Sequence, residues 1–249
     1  MTQNAELAKV HEDAPVRTDP RRPANRPVGK RPRRRRNAVP GMIMLAVVVT
    51  AFLVDVLHPY LTLNPAESRI VLRKNFPLHY PILIAHILFG TIALTTLVVQ
   101  LWPWLRRHHP VVHRWVGRVY VFGGALPCSL MALALMPLTN GWSGNIGITA
   151  QAVLWFGTTV AGFRAGHQRR FRDHRRWMIY SAALALGVLW GRATVDLYTI
   201  LPQKFNVFFI FEVARWAGWM INLLVAQWWI EHTANRNRPK VRVPQEVVD

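Results

Sequence analysis

Acidic residues and cysteines are scarce in this chain of 249 residues. Asp and Glu together number 12 against 31 Lys and Arg, which leaves a formal net charge of +19. The single cysteine, Cys128, lies in an apolar run, so a secreted fold held together by disulfides is excluded. Charged residues make up only 17% of the chain, whereas 51% is hydrophobic. This composition argues against a disordered chain and indicates a membrane protein.

Familiar catalytic motifs are also missing. The sequence has no Gly-rich phosphate loop, no Ser-centred nucleophile elbow, no His-Glu-x-x-His and no paired cysteines. Hydrolase, kinase and zinc-enzyme functions therefore have no support. We predict no catalytic residue and no metal site, and the sequence favours a protein that is not an enzyme.

The apolar residues gather in six long runs. A helix needs about 20 mostly apolar residues to cross the hydrocarbon core of a bilayer. The runs lack the two-residue alternation of barrel strands and are too long for them. We therefore predict an all-α membrane protein, a six-helix transmembrane bundle within residues 38–232. The predicted spans are Val39–His58, His79–Trp102, Trp115–Leu138, Ile146–Phe163, Trp177–Tyr198 and Phe208–Ile230.

Two similar motifs open alternate spans and indicate an internal repeat. His113-Arg-Trp begins the third span, and His174-Arg-Arg-Trp begins the fifth. Each motif follows a basic turn that comes after a span running in the opposite direction. We predict that spans 2 and 3 and spans 4 and 5 form two related helical hairpins, with spans 1 and 6 beside them.

Basic residues are distributed unequally between the two ends of the spans. Twenty-five Lys and Arg lie on the side that holds both termini, and four lie on the opposite side. Because cytoplasmic loops retain Lys and Arg, this asymmetry predicts a bacterial inner-membrane protein with both termini in the cytoplasm. The tails, residues 1–37 and 233–249, are poor in large apolar residues, and we predict that both are disordered.

The run Arg31–Arg36 next to the first span has two interpretations, nucleic-acid binding or contact with anionic lipid headgroups. No folded nucleic-acid reader accompanies the charge, so we predict that it lies on the bilayer surface and binds no nucleic acid.

Seven ionisable residues lie near the outer ends of four predicted spans. Such residues cost about 2.5–3.5 kcal/mol each at the bilayer centre, so they mark functional or structural sites. The seven are Asp55, His58, His86, Arg192, Asp196, Glu212 and Arg215. They form either internal salt bridges that hold spans together, or an outward-facing polar pocket that binds an ion, a proton or a small ligand. The leading prediction is the pocket, in a protein of transport type.

Helical spacing predicts two local pairs among these residues. Arg192 and Asp196 are four apart, and Glu212 and Arg215 are three apart, so the members of each pair share a helix face. With Asp55 included, the set keeps one formal negative charge. A protonated His86 or a bound cation would balance it.

A second group of residues lies at the cytoplasmic ends of the third and fifth spans. It comprises His113, Arg114, Arg118, His174, Arg175 and Arg176. The arginines are expected to bind lipid phosphate while the histidines cap or pack. The alternative is an electron carrier in which His113 and His174 are axial ligands of haem b, although we expect no cofactor. A third alternative is an accessory subunit of a membrane complex, in which the ionisable residues near the outer ends of the spans bind a partner helix. A homo-oligomer is also left open.

The histidine motifs carry a family resemblance. The segments His113-Arg-Trp-Val-Gly-Arg118-Val-Tyr120 and His174-Arg-Arg-Trp-Met178, with His86 in Ala85-His-Ile-Leu-Phe-Gly, resemble an uncharacterised bacterial family of integral membrane proteins, domain of unknown function 2306. The resemblance covers roughly residues 45–230 and excludes both tails. It implies a multi-span bacterial membrane protein without an established activity. In that family an arginine usually follows the second motif, where this chain has Tyr180.

Overall fold

The computed structural model describes residues 38–138, 144–200 and 206–235, which are largely α-helical and contain no strand. Within these ranges, six helical segments are long and apolar enough to cross a membrane. They are Val39–Tyr60, His79–Leu101, Pro110–Leu138, Asn145–His167, Phe171–Tyr198 and Phe208–Ala234. The predicted all-α bundle with six spans is confirmed.

The helices extend beyond the predicted spans, mainly on the side with the basic turns. Their bounds are α1 Ala38–Leu57, α2 His79–Leu101, α3 Pro103–His108, α4 Pro110–Arg118, α5 Leu126–Leu135, α6 Asn145–His167, α7 Phe171–Ile200 and α8 Val207–Asn235. Hydropathy marks only the part of a helix that lipid surrounds, whereas the polar turns of α6 and α7 beyond it are helical as well. Pro103 and Pro110 begin α3 and α4, where a missing backbone N–H costs nothing.

The third span is not a uniform α-helix. A π-helical segment, Val119–Ala125, joins α4 to α5, and the 3₁₀ turn Met136–Leu138 ends the span. Pro127 lies at the start of α5 and has no N–H to donate to the carbonyl of Gly123. The wider turn before it accommodates this lost hydrogen bond, and π turns of this kind are frequent at functional sites.

Helix α7 lies at the centre of the packing. It contacts α6 and α8 along its length, while α2 packs against the third span and α1 lies against α2. The buried core contains small and medium side chains: Val49, Ala93, Leu94, Leu97, Tyr120, Val121, Ala125, Ala182 and Ala185. Small residues let backbones approach where lipid gives no hydrophobic drive. Spans 2 and 3, and spans 4 and 5, are packed neighbours, and their relation as repeats stays a prediction.

Parts of several predictions lie outside the described residues. These parts are residues 1–37, which include the Arg31–Arg36 run, and the segments 139–143, 201–205 and 236–249. Helix α8 ends at Asn235, three residues beyond the predicted end of the membrane domain. The predicted disorder of the tails therefore stays a prediction.

Candidate functional site

Four charged side chains meet at the predicted outer end of the bundle, and we call them the outer cluster. They are Asp55 of α1, Arg69 of the connection between α1 and α2, and Arg192 and Asp196 of α7. Arg69 holds Asp55 in a fork: Nη1 is 3.1 Å from Oδ2 and Nη2 is 3.1 Å from Oδ1. Such two-point pairing is the strongest form of an arginine–carboxylate contact.

Arg192 connects the two carboxylates of the outer cluster. Its Nε lies 3.3 Å from Asp55 Oδ2, and its Nη2 lies 3.0 Å from Asp196 Oδ1. The side chains of these three residues keep 31%, 43% and 46% of their surface, in the order Arg192, Asp55 and Asp196. The cluster is therefore half-buried rather than enclosed, and it joins two spans through one guanidinium.

Arg69 was missed by the sequence reasoning, although it is one of only four basic residues on the predicted outer side. It supplies the positive charge for which a protonated His86 or a cation was invoked, so the outer cluster is neutral in itself. The hydrogen bond to the Asp55 carboxylate raises the pKa of Arg69. One feature of the sequence could have indicated Arg69. It lies 14 residues after Asp55, in the connection that leads from α1 back to α2.

Glu212 and Arg215 of α8 both reach the first turn of α6. The Glu212 carboxylate accepts a hydrogen bond from the backbone N–H of Gly144, which is the N-cap residue of α6. Arg215 Nη1 donates to Asn145 Oδ1 at 3.3 Å. A carboxylate at a helix N-terminus is favoured by the helix dipole, so this pair fixes α8 to α6.

Gly144 is required at this junction for two reasons. Its φ is +69°, which L side chains rarely adopt, and a Cβ there would collide with the Arg215 side chain. We expect Gly144→Ala to lower the free energy of unfolding by about 1 kcal/mol through the left-handed conformation alone. Gly157→Ala, where a Cβ would meet nothing within 4 Å, is the matched control. Equal thermal stability of the two variants in nanodiscs would contradict the assignment.

The two remaining outer histidines have separate positions. His86 Nδ1 lies 3.1 Å from the carbonyl oxygen of Cys128, and the Cys128 thiol donates to the His86 carbonyl oxygen at 3.6 Å. His86 therefore joins α2 to α5. His58 is exposed in the 3₁₀ turn after α1. The structure thus brings Asp55, Arg192 and Asp196 together and places His86 against the third span.

A buried layer of uncharged polar side chains, which the sequence did not predict, connects three spans. Tyr120 Oη lies 2.7 Å from Ser181 Oγ, and Ser181 Oγ lies 2.8 Å from Thr159 Oγ1. Trp155 Nε1 donates to Tyr120 Oη at 3.2 Å. Ser181 and Thr159 are fully buried, and Tyr120 is nearly so. Unpaired polar groups are costly in such a place, so the layer fixes the register of the third span, α6 and α7.

The residues of the two His-Arg motifs separate into two kinds. Arg118 lies over the Trp115 ring at 4.9 Å, and Arg176 lies over the Tyr180 ring at 5.8 Å; both arginines are exposed, as is Arg114. His113 and His174 are instead partly buried. Among the described residues, no group of three His, Cys, Asp or Glu side chains converges to hold a metal ion.

An apolar groove runs between α1, α7 and α8. Its volume is about 500 Å³, and its lining includes Leu45, Val48, Leu186, Trp190 and Trp229. Asn222 is the polar residue of the lining, and it is already bonded to Trp190 Nε1 and to the Ala183 carbonyl. The groove therefore offers contact to apolar chains and lies apart from the charged sites.

The family model described as Predicted membrane protein (DUF2306) matches residues 83–230, which is more than half of the chain. The chain belongs to this family. Comparison with curated proteins finds no match, and comparison with solved structures finds none either. The resemblance seen in the histidine motifs is thus confirmed, and the family gives the coarse description of a membrane protein with several apolar helices.

The DUF2306 match divides the outer cluster. Arg192 and Asp196 lie inside the matched residues, whereas Asp55 and Arg69 precede them. His113 and His174 are both inside. Conclusions about the complete outer cluster therefore concern this chain and are not drawn from the family.

Proposed function

We propose that this protein is a bacterial inner-membrane protein of transport type that binds a small organic anion at the outer cluster, with a proton as its coupled ion. The observation that supports the proposal is the convergence of two arginines, Arg69 and Arg192, on the single carboxylate of Asp55. An arginine fork matches a carboxylate in geometry as well as in charge. Asp55 therefore occupies the position that the carboxylate of a ligand would take.

The charge count of the outer cluster supports the proposed coupling to a proton. With Asp55 ionised, two arginines and two carboxylates balance, and an added anion has to compete with Asp55. Protonation of Asp55 leaves one positive charge in excess, because Asp196 alone faces the two arginines. An anion then completes the balance, so anion and proton bind together.

The test compares Asp55→Asn with Arg192→Gln in nanodiscs. Short carboxylates from acetate to succinate are titrated while thermal unfolding is followed, and sodium and potassium are exchanged at fixed anion. We expect Asp55→Asn, which removes the internal competitor, to bind the preferred carboxylate about tenfold more tightly. Tenfold corresponds to about one hydrogen bond to a charged group. Arg192→Gln should abolish the response.

Lys74→Gln provides the control for the outer connection, because it removes one positive charge close to Arg69 in sequence. We expect it to leave carboxylate binding unchanged, whereas Arg69→Gln weakens binding. A response to cations that disappears in Asp55→Asn would contradict the anion proposal. So would a carboxylate response that is the same in all four variants.

A further inference from the structure

His113 and His174 occupy equivalent positions at the inner ends of two parallel spans. Each is the fourth residue of its helix, α4 and α7 respectively. Seven residues further on, Tyr120 and Ser181 are joined by the 2.7 Å contact of the polar layer. Seven residues are two helical turns, which return to nearly the same face about 10 Å along the axis. The two imidazoles therefore lie on the facing sides of the two spans, beneath the polar layer.

The contacts of His174 fix its ring and leave one nitrogen available. Its Nδ1 lies 2.8 Å from the Gly162 carbonyl oxygen, which can only accept, so Nδ1 carries the proton. A Cβ at Gly166 would come within 2.9 Å of the same nitrogen, so the ring lies directly on α6. Nε2 of His174 is the ring nitrogen left for a further partner.

His113 is held by its backbone and has an unsatisfied ring nitrogen. Gln100 Nε2 donates to the His113 carbonyl oxygen at 2.6 Å, which ties α2 to α4. Nδ1 of His113 is buried and has no hydrogen-bond partner among the described residues. A buried ring nitrogen without a partner is costly, and a hydrogen bond to a bound group would satisfy it.

The surroundings of the two histidines are positively charged. His113 lies close enough to Arg106 and to His174 for their charges to interact. Partial burial lowers the pKa of Arg106, and the positive charges of Arg107 and Arg175 lower it further. Asp173, the acidic residue next to His174, is paired with Arg170 at 2.6 Å. The N-termini of α4 and α7 add partial positive charge at the same end.

We propose that Arg106, His113, His174 and Arg175 form a site for a phosphate group at the inner ends of the third and fifth spans. This site is separate from the outer cluster and goes beyond the proposed function. The oxygens of a tetrahedral phosphate group accept hydrogen bonds on all sides, and Arg106, Arg175 and the His113 ring supply donors from α3, α4 and α7. A hydroxyl of a singly protonated phosphate donates in turn to Nε2 of His174. The polar layer holds the third and fifth spans together two turns away.

The phosphate group belongs either to an anionic lipid or to free phosphate, and two arms of one experiment separate these sources. In the first arm, inorganic phosphate is titrated into the full-length protein in a detergent without phosphate. In the second, the protein is placed in nanodiscs of phosphatidylcholine with or without phosphatidic acid. Thermal unfolding is measured in both arms, together with an absorption spectrum.

We expect the unfolding temperature to rise with phosphate or with phosphatidic acid, and Arg106→Gln and Arg175→Gln to weaken binding by about tenfold each, the effect of one charge-assisted hydrogen bond. Arg172→Gln removes an exposed arginine of α7 and should bind as the unchanged protein does. Unfolding without phosphate shows whether each variant is folded. His113→Gln and His174→Gln keep a hydrogen-bonding group in place of each ring and should weaken binding less than the arginine variants.

Dependence on Arg106 and Arg175 in either arm supports the site, and the arm that responds identifies the source. The proposal is overturned if neither arm responds, or if Arg172→Gln weakens binding as much as Arg106→Gln. A Soret band lost in His113→Ala or His174→Ala also overturns it, in favour of haem. None of these outcomes depends on carboxylate binding at the outer cluster.

Discussion

Replacing Arg192 with alanine is expected to lower the free energy of unfolding by about 2–3 kcal/mol, the worth of hydrogen bonds to charged groups. Arg192 bonds to both Asp55 and Asp196, and its loss leaves the two carboxylates close to each other without this shared guanidinium. A fully buried pair would cost about 3–5 kcal/mol when broken. The expected loss is smaller because these side chains keep a third to nearly half of their surface.

The double variant Arg192→Ala with Asp196→Ala tests the cause of that loss. Removing one carboxylate relieves the repulsion, so the double variant should recover much of the stability that the single variant loses. Arg172→Ala, an exposed position on the same helix, should change stability little. If the stability losses of the two single variants add up in the double variant, or if Arg192→Ala is as stable as the unchanged protein, the ion pairs do not hold α1 to α7.

Ser181→Ala is expected to destabilise the bundle by about 2 kcal/mol, because it leaves two buried hydroxyls, those of Tyr120 and Thr159, without this partner. Ser129→Ala is the matched control. Ser129 is equally buried, but its hydroxyl donates to the Ala125 carbonyl one turn earlier on its own span. Loss of the Ser129 hydroxyl should therefore lower the free energy of unfolding clearly less than loss of the Ser181 hydroxyl.

Unfolding of both serine variants is measured in nanodiscs of one composition, so that lipid contributes equally. A loss in Ser181→Ala no larger than that in Ser129→Ala would mean that the polar layer does not fix the register of the spans. That result would also weaken the inference that His113 faces His174, because the Tyr120–Ser181 contact sets their register.

The architecture could be predicted from the sequence because the bilayer imposes a simple rule. A spanning helix must be long and apolar, so six runs predict six helices without knowledge of their contacts. Helical spacing likewise predicted the ion pair between Arg192 and Asp196, since residues four apart share a face. Both inferences depend on local periodicity alone.

The remaining contacts depend on which helices are neighbours, and no local pattern contains that information. Arg69 lies in a connection, where spacing along a helix does not apply. Helical spacing placed Glu212 on one face with Arg215, but it could not show that the Glu212 carboxylate accepts from Gly144, 68 residues away. The sequence gives no signal for Tyr120, Thr159 and Ser181, because single hydroxyls inside spans are common and carry no charge.

The side of the membrane on which Arg69 lies tests the central claim most directly, because the outer cluster binds an external ligand only if that connection faces outward. Ser68→Cys, in a chain whose Cys128 is replaced by alanine, should react with a membrane-impermeant maleimide in intact cells. Gln168→Cys, between α6 and α7, should react only after permeabilisation. The reverse pattern, with Gln168→Cys labelled from outside and Ser68→Cys protected, would contradict the orientation and with it the assignment of the outer cluster.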